Sequence, residues 1–310
     1  MSDIVPIALF AYDRVDLLAR TLDSLRANAV PLIYAFSDGP RTEEAAGRVD
    51  AVRRLLRCVD WTQVVLADRA DNLGLGRSIV AGASRVFARH PRAIVCEDDL
   101  VVAPGAYRYL CAALEHYAGD ERVMSVSGWT HPLVTPSGVG DAPYFSARVN
   151  TYFWGAYARA WDGMDEGTAL DRLARCRERG DDPARYGRDL PDMAAGESAH
   201  NLWAVRWIAQ HLARGGLSLC PPWTMVDHAG VDPRATNAVF LPIWDQRLDR
   251  APPSVPGRWP EPFEHPQIAA LWRRAVELEY TQAEQRSRRS LTARLRAAFG
   301  RLRRRGGPRP

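Results

Sequence analysis

Apolar and polar residues alternate in blocks along the first 120 positions. Residues 4–12, IVPIALFAY, form a β-branched, apolar run of strand length. In the following segment, 13–28, Val15, Leu18, Leu22 and Leu25 recur at helical spacing. The pair of patterns then repeats three times. Strand signals fall at 30–37, 62–68 and 92–99, and helical signals at 42–59, 72–90 and 105–119. Thr42 is the expected N-cap of the second helix, with Glu43 and Glu44 in its first turn. Four strand–helix repeats predict an α/β domain with a parallel sheet covered by helices on both faces. Ligands of such open sheets bind beyond the carboxyl ends of the strands. That rule puts Asp38, the loop at Asn72 and the triplet Glu97-Asp98-Asp99 on one rim.

Beyond residue 120 the rhythm changes. A strand is expected at 122–129, then a loop rich in Pro and Gly at 130–143, then an aromatic stretch at 144–165. Segment 171–190 reads as a polar helix followed by a loop. Segment 198–216 reads as one amphipathic helix, with Leu202, Val205, Ile208 and Leu212 on its apolar face and Gly215 as its stop. A short strand and an irregular loop should follow at 217–237. The prolines between Pro252 and Pro266 predict a surface wrap without regular structure. There is no internal repeat.

Composition is ordinary for a globular chain of 310 residues, at 46% hydrophobic and 25% charged. No apolar run approaches the roughly 18 residues that cross a bilayer. The N-terminus lacks the pattern of a signal peptide, and the five scattered cysteines show no CxxC. A cytoplasmic protein without a disulfide framework is expected. All 41 basic residues are Arg, which excludes a Lys nucleophile or Schiff base. Ten of them lie in Arg286–Arg309, where there is no acid; without those ten charges the net +4 becomes −6. In the tail Leu291, Leu295, Ala298, Phe299 and Leu302 share one helical stripe. That pattern suits a helix lying on an anionic membrane surface, and equally a disordered solubilising tail. Nucleic acid is not expected, because Phe299 is the tail's one aromatic.

Three adjacent carboxylates at the end of a buried strand repel one another. A hard divalent cation relieves that repulsion, and Mg²⁺ or Mn²⁺ favours carboxylates together with phosphate oxygens. A metal-bridged nucleotide diphosphate therefore suits the crevice. The same acids also suit a paired-carboxylate hydrolase, or a solvated loop without chemistry. The run NLGLGRS has Gly74 and Gly76 in GxG spacing. Ile79 stands where a dinucleotide fingerprint needs a third Gly, so that reading is set aside.

Taken in order, FAYDRVDLLARTLDSL, SDGP, NLGLGRSI, EDDLVVAP, VSGW, FWG and NLWAVRW…LARGGLSLCP…DHAGVD cover residues 5 to 237. The set resembles the GT-A fold nucleotide-sugar glycosyltransferases, and within them the N-acetylglucosaminyltransferase I type and the bacterial family 2-like group. The resemblance implies a Rossmann-like, mostly parallel sheet with a smaller acceptor-side subregion. Residues 1–125 would be the nucleotide-sugar half and 126–245 the acceptor half of one domain. A proline-rich extension at 246–279 and a basic tail at 280–310 would follow. It implies a metal-dependent, inverting transfer from a nucleotide diphosphate sugar, with UDP as the expected nucleotide. The acceptor would be a hydroxyl of a glycan, a lipid-linked glycan or a small molecule.

By the resemblance, Asp99 is the main ligand of Mn²⁺ or Mg²⁺, Asp98 a second ligand that also faces the sugar, and Glu97 a support. Arg14, Asp38, Asn72 with Gly74, and Ser78 would surround the nucleotide. Trp154 and Gly155 would floor the sugar pocket. His228 and Gly230 would close over the diphosphate, with Asp232 and Asn237, where relatives often carry His in place of Asn237. The relatives' general base is an Asp at the start of the NLWAVRW-like helix. No acid stands there in this chain, so Glu197 and His200 are the candidate bases, with Asp192 and Asp162 behind them. Two alternatives remain open: a nucleotidyltransferase acting on sugar phosphates, and a degenerate sugar-binding scaffold.

Overall fold

The structure is a computed structural model, which describes residues 4–230, 248 and 251–284. The arginine-rich tail, Asp232 and Asn237 lie outside the described residues. The first half runs β1 (Ile7–Ala11), α1 (Val15–Ala27), β2 (Leu32–Ser37), α2 (Glu43–Arg57), β3 (Gln63–Asp68), α3 (Leu75–Phe87), β4 (Arg92–Glu97), β5 (Leu100–Val102) and α4 (Ala106–His116). There follow β6 (Val123–Ser127), β7 (Tyr144–Ser146), β8 (Trp154–Tyr157), α5 (Ala158–Trp161), α6 (Ala169–Glu178) and a 3-10 turn at Pro183–Tyr186. Then come α7 (Asp189–Ala195), α8 (Glu197–His200), α9 (Trp203–Arg214), β9 (Leu217–Cys220) and β10 (Val226–His228). Residues 268–284 are helical.

The expected α/β architecture is present. Eight strands form one sheet in the order β3-β2-β1-β4-β8-β6-β9-β7. The first four are parallel, and the order reverses beside β1, which pairs with both β2 and β4. Every residue of β1 is buried, as its unbroken apolar run requires of a central strand. β3 and β7 are the edge strands; the ends of β3, Gln63 and Asp68, are exposed and its middle is half-buried. The sheet continues from β4 into β8, a strand that the aromatic stretch does not announce and that lies antiparallel to both β4 and β6. A separate antiparallel pair joins β5 to β10 and sets His228 opposite Leu100, next to the triplet.

Beneath the second half, the Trp154 ring packs on Trp161, Trp203 and Trp207 at centroid distances of 5.6, 5.9 and 5.1 Å. This cluster binds α5 and α9 to β8 by burying large apolar rings. The proline-rich segment is irregular, as expected, apart from one bridge between Phe145 and Glu264.

The single helix expected at 198–216 is broken in two. α8 ends at His200, Asn201 takes a left-handed conformation with φ of 55°, and α9 starts at Trp203. Asn tolerates that region better than other non-glycine residues. The break abuts the NLGLG loop so tightly that a Cβ on Gly76 would lie 2.5 Å from the Asn201 carbonyl oxygen. Gly76→Ala should therefore cost about 1–3 kcal/mol of stability by overpacking. Gly47→Ala, in open space on exposed α2, should add about 0.5–1 kcal/mol through helix propensity. Denaturant melts of both variants check the contrast, and the same sign for both would contradict the packing.

His211 on α9 is fully buried. Its Nδ1–H donates to the Trp207 carbonyl at 3.1 Å, and Nε2 accepts from the Ser125 hydroxyl at 2.9 Å. Burial pushes its pKa down to about 3, from 6.5 in the unfolded chain. Between these values the unfolded state binds more protons, so the stabilisation is complete above pH 6.5 and fades as the pH falls toward 3. The wild type's stability advantage over His211→Gln should shrink by up to about 1.4 kcal/mol per pH unit on acidification. Urea melts at stepped pH measure this; parallel slopes would contradict a neutral, buried imidazole.

Candidate functional site

Where the strand order reverses, the loops after β1 and β4 lead away from each other and leave a crevice between them. Arg14 follows β1 as the N-cap of α1, and Asp98 and Asp99 follow β4. Both acids are buried, with Asp98 at 4% and Asp99 at 7% exposure. One nitrogen of Arg14, Nη2, donates to Asp98 Oδ1 at 3.0 Å and to Asp99 Oδ2 at 2.7 Å. The Tyr12 N–H donates to Asp98 Oδ2 at 3.0 Å, and Thr21 Oγ1 donates to the Asp98 carbonyl at 2.9 Å. His228 Nε2 stands 3.5 Å from Asp99 Oδ2, and the Ala229 N–H donates to the Asp99 carbonyl at 2.8 Å.

The three acids of the triplet sit in different electrostatic surroundings. Burial and the charges of Asp99 and Asp98 push the Glu97 carboxyl up to about 8. Burial and the Asp99 charge raise Asp98 to about 6, against the pull of Arg14 and the Tyr12 N–H. Burial also raises Asp99, but the hydrogen bonds and charges of His228 and Arg14 outweigh it and hold this carboxyl below the usual range.

Asp38, at the end of β2, accepts the Leu73 N–H at 3.0 and 3.1 Å and the Gly74 N–H at 2.9 Å. Asn72 Nδ2 donates to the Gly39 carbonyl at 2.7 Å, and Arg69 donates to the Ser78 hydroxyl. These contacts pin the 72–74 loop to the rim. The result is a cleft of about 490 Å³. A second cavity of about 890 Å³ adjoins it and shares Arg41, Asn72, Gly74 and residues 201–203 as walls.

Arg14, Asp38, Asn72, Ser78, Glu97, Asp98, Asp99, His200 and His228 all line the one cleft. Gly74 and Gly230 join them. Other expected residues lie elsewhere. Trp154 is 1% exposed, ringed by three other Trp side chains, and does not line the cleft. Gly155 lies under α4, where a Cβ would meet Leu114 Cδ1 at 2.7 Å. Both residues pack the core, which corrects their expected place on the pocket floor. Glu197 lines the second cavity and is committed to structure: Oε2 accepts the Ala169 N–H at 2.7 Å and Oε1 accepts from Arg206. Asp162 and Asp192 line neither cavity.

The cleft wall also holds residues that no motif points to, among them Tyr152, Asn201 and Arg41. Tyr152, whose ring centre is 4.9 Å from that of His228, is one more aromatic in a crowded stretch. Asn201 is hidden by a helical pattern that continues through the break. Arg41 follows a turn and carries no motif beyond SDGP.

The carboxylate oxygens of Asp98 and Asp99 that converge are both taken by Arg14. Among the described residues no group of three or more His, Cys, Asp or Glu side chains could hold a metal ion. As arranged, the residues expected to bind Mn²⁺ or Mg²⁺ do not fit a divalent ion; the cation between them is a guanidinium. Among the described residues no helix is long and apolar enough to cross a membrane.

No family model matches the chain, and no curated protein sequence matches it. Solved structures with overlapping folds include a mannosyltransferase of Pyrobaculum calidifontis in complex with GDP-Man and Mn²⁺. It is 15% identical, with a TM-score of 0.41, over 68% of this chain and 74% of that one. A UDP-glucose pyrophosphorylase complexed with UDP-glucose is 8% identical, with a TM-score of 0.34, over 54% of this chain and 81% of that one. Mouse xyloside xylosyltransferase 1, in its apo form, is 15% identical, with a TM-score of 0.34, over 55% and 71%.

Proposed function

We propose that the chain is a glycosyltransferase that binds a nucleotide diphosphate sugar, with UDP as the expected nucleotide, in the cleft at the β1–β4 crevice. One observation carries this reading. The ends of β1, β2 and β4, together with β10, bring Arg14, Asp38, the acidic triplet and His228 to one cleft where the strand order reverses. Its volume of about 490 Å³ lies within the range of small-molecule sites. In this reading the loop held by Asp38 receives the nucleoside, the triplet end receives the diphosphate, and the acceptor enters from the adjoining cavity.

The transfer needs one bond made and one broken. The acceptor hydroxyl oxygen attacks the anomeric carbon of the sugar. The bond from that carbon to the diphosphate oxygen breaks, and its electron pair leaves with the diphosphate. The hydroxyl proton passes to a base. Glu197 is already paired with Arg206, so the role falls to His200, which is exposed on the cleft wall. A cation at the triplet meets the charge that grows on the leaving group.

A panel of nucleoside diphosphates, with and without Mn²⁺, should include one that stabilises the protein in a thermal shift assay. At about 100 times its Kd the gain should approach ~2.7 kcal/mol. No stabilisation by any member would overturn the donor-site reading. With the matching sugar donor the product should be the free nucleoside diphosphate; release of pyrophosphate from a nucleoside triphosphate and a sugar 1-phosphate instead would mark a nucleotidyltransferase. His200→Ala should lower kcat by about 10²–10⁴-fold and leave nucleotide affinity unchanged. A kcat close to wild type would move the base elsewhere.

A further inference from the structure

The two buried acids at the end of β4 already have a cation, and it belongs to the chain. We propose that Arg14 takes the place of a divalent ion in this site, so that the protein binds and turns over its donor without metal. The inference rests on the donor-site reading above and gives the leaving diphosphate its partner.

Three observations support it. First, a single nitrogen of Arg14 bridges Asp98 and Asp99, at 3.0 and 2.7 Å, which is where an ion shared by the two carboxylates would stand. Second, the order of burial is that of a bridging cation. The side chains of Asp98 and Asp99 are 6% and 9% exposed and lie behind, while that of Arg14 is 18% exposed and lines the cleft. Third, the guanidinium has capacity to spare. It carries five N–H donors in a planar fork, and the two bonds to the acids come from Nη2 alone. Nη1 and Nε have no hydrogen-bond partner among the described residues, leaving three donors for phosphate oxygens.

The frame around the bridge is fixed before any ligand arrives. Tyr12 N–H, Thr21 and Ala229 N–H hold the acids from three directions, and His228 flanks Asp99. A divalent ion entering here must either sit beside a bound guanidinium, against like-charge repulsion, or expel it from two charge-assisted hydrogen bonds. Carrying the positive charge on Arg14 avoids both.

The test compares wild type, Arg14→Ala and Arg14→Lys by calorimetry. The ligand is the nucleoside diphosphate that gives the largest thermal shift, titrated once in EDTA and once in Mn²⁺. Donor turnover is measured in the same two buffers. The wild type should bind with Kd values within about threefold of each other and retain turnover in EDTA. Arg14→Ala should lose about 10–100-fold in affinity in EDTA, and Arg14→Lys should keep part of it as a point charge. With its two carboxylates freed, Arg14→Ala should also acquire a Mn²⁺ response, seen as a rise in Tm with Mn²⁺ alone and partial recovery of affinity. Mn²⁺ alone should leave the wild-type Tm unchanged.

Wild-type binding or turnover that requires Mn²⁺ would overturn the inference and leave the donor-site reading standing. Unchanged affinity of Arg14→Ala in EDTA would overturn it as well. Absence of binding in both buffers would be the failure of the donor-site reading, and this inference would fall with it. Should Arg14→Ala not fold, the wild-type comparison of the two buffers decides alone.

Discussion

The bridge from Arg14 to Asp98 and Asp99 is the constraint on which the rim of this sheet depends. Two buried carboxylates side by side would be severely destabilising without a counter-charge and hydrogen bonds to their oxygens. Here both come from segments that otherwise diverge: the end of β1, the first and second turns of α1, and the strand returning as β10. The acids therefore act as the knot of the crevice. Residue 230 shows how close the knot is drawn. A Cβ there would lie 2.0 Å from Asp99 Oδ2, so only Gly lets the chain pass over the acid. The residual strain is electrostatic and is concentrated on Glu97, whose carboxyl is the most strongly raised of the three. A chain selected for stability alone has no use for that arrangement, and perturbed acids of this kind gather at functional sites.

The rim stands on a base of a different character. Behind β8 the four Trp side chains form a packed wall, and Gly155 lets α4 settle onto the same strand. Because β8 runs between β4 and β6, this apolar mass stiffens the strand that carries the triplet from one side, while β1 does so from the other. Polar groups held on rigid elements keep their geometry better than those on loops. The aromatic wall thus has a bearing on the site, and one of its members, Trp203, also lines both cavities.

How much of this was legible in the sequence follows from the range of the interactions. The four strand–helix repeats are local patterns, and they placed Asp38, Asn72 and the triplet on one rim. The continuous apolar runs at β1 and β4 marked central strands for the same reason. The bridge itself joins residues 84 and 85 positions apart, and nothing near Arg14 announces its partners. β8 has only four residues and is buried along its length, so no alternation of polar and apolar positions reveals it. A Trp there looks like a sugar platform until its neighbours are known. The break at Asn201 is silent because Leu202, Val205 and Ile208 keep helical spacing on its far side. Glu197 looked like a free acid because its partner, Arg206, lies nine positions away across that break, outside the reach of an i,i+4 pair.

The same break gives the NLGLG loop a meaning that its spacing alone did not carry. A GxG at a helix start suggests a phosphate cradle, yet Asn201 occupies the approach to both glycines. A Cβ on Gly74 would lie 2.8 Å from Asn201 Nδ2, and one on Gly76 would lie 2.5 Å from its backbone oxygen. The glycines are small so that the left-handed turn between α8 and α9 can dock. That contact forms the ridge between the two cavities, each of which counts Asn72, Gly74 and Asn201 among its walls. A second seam of this kind at the cleft is His228 on Asp99. Seams that close the crevice from the second half leave a second compartment alongside it, which in the proposed transfer would be the place of the acceptor.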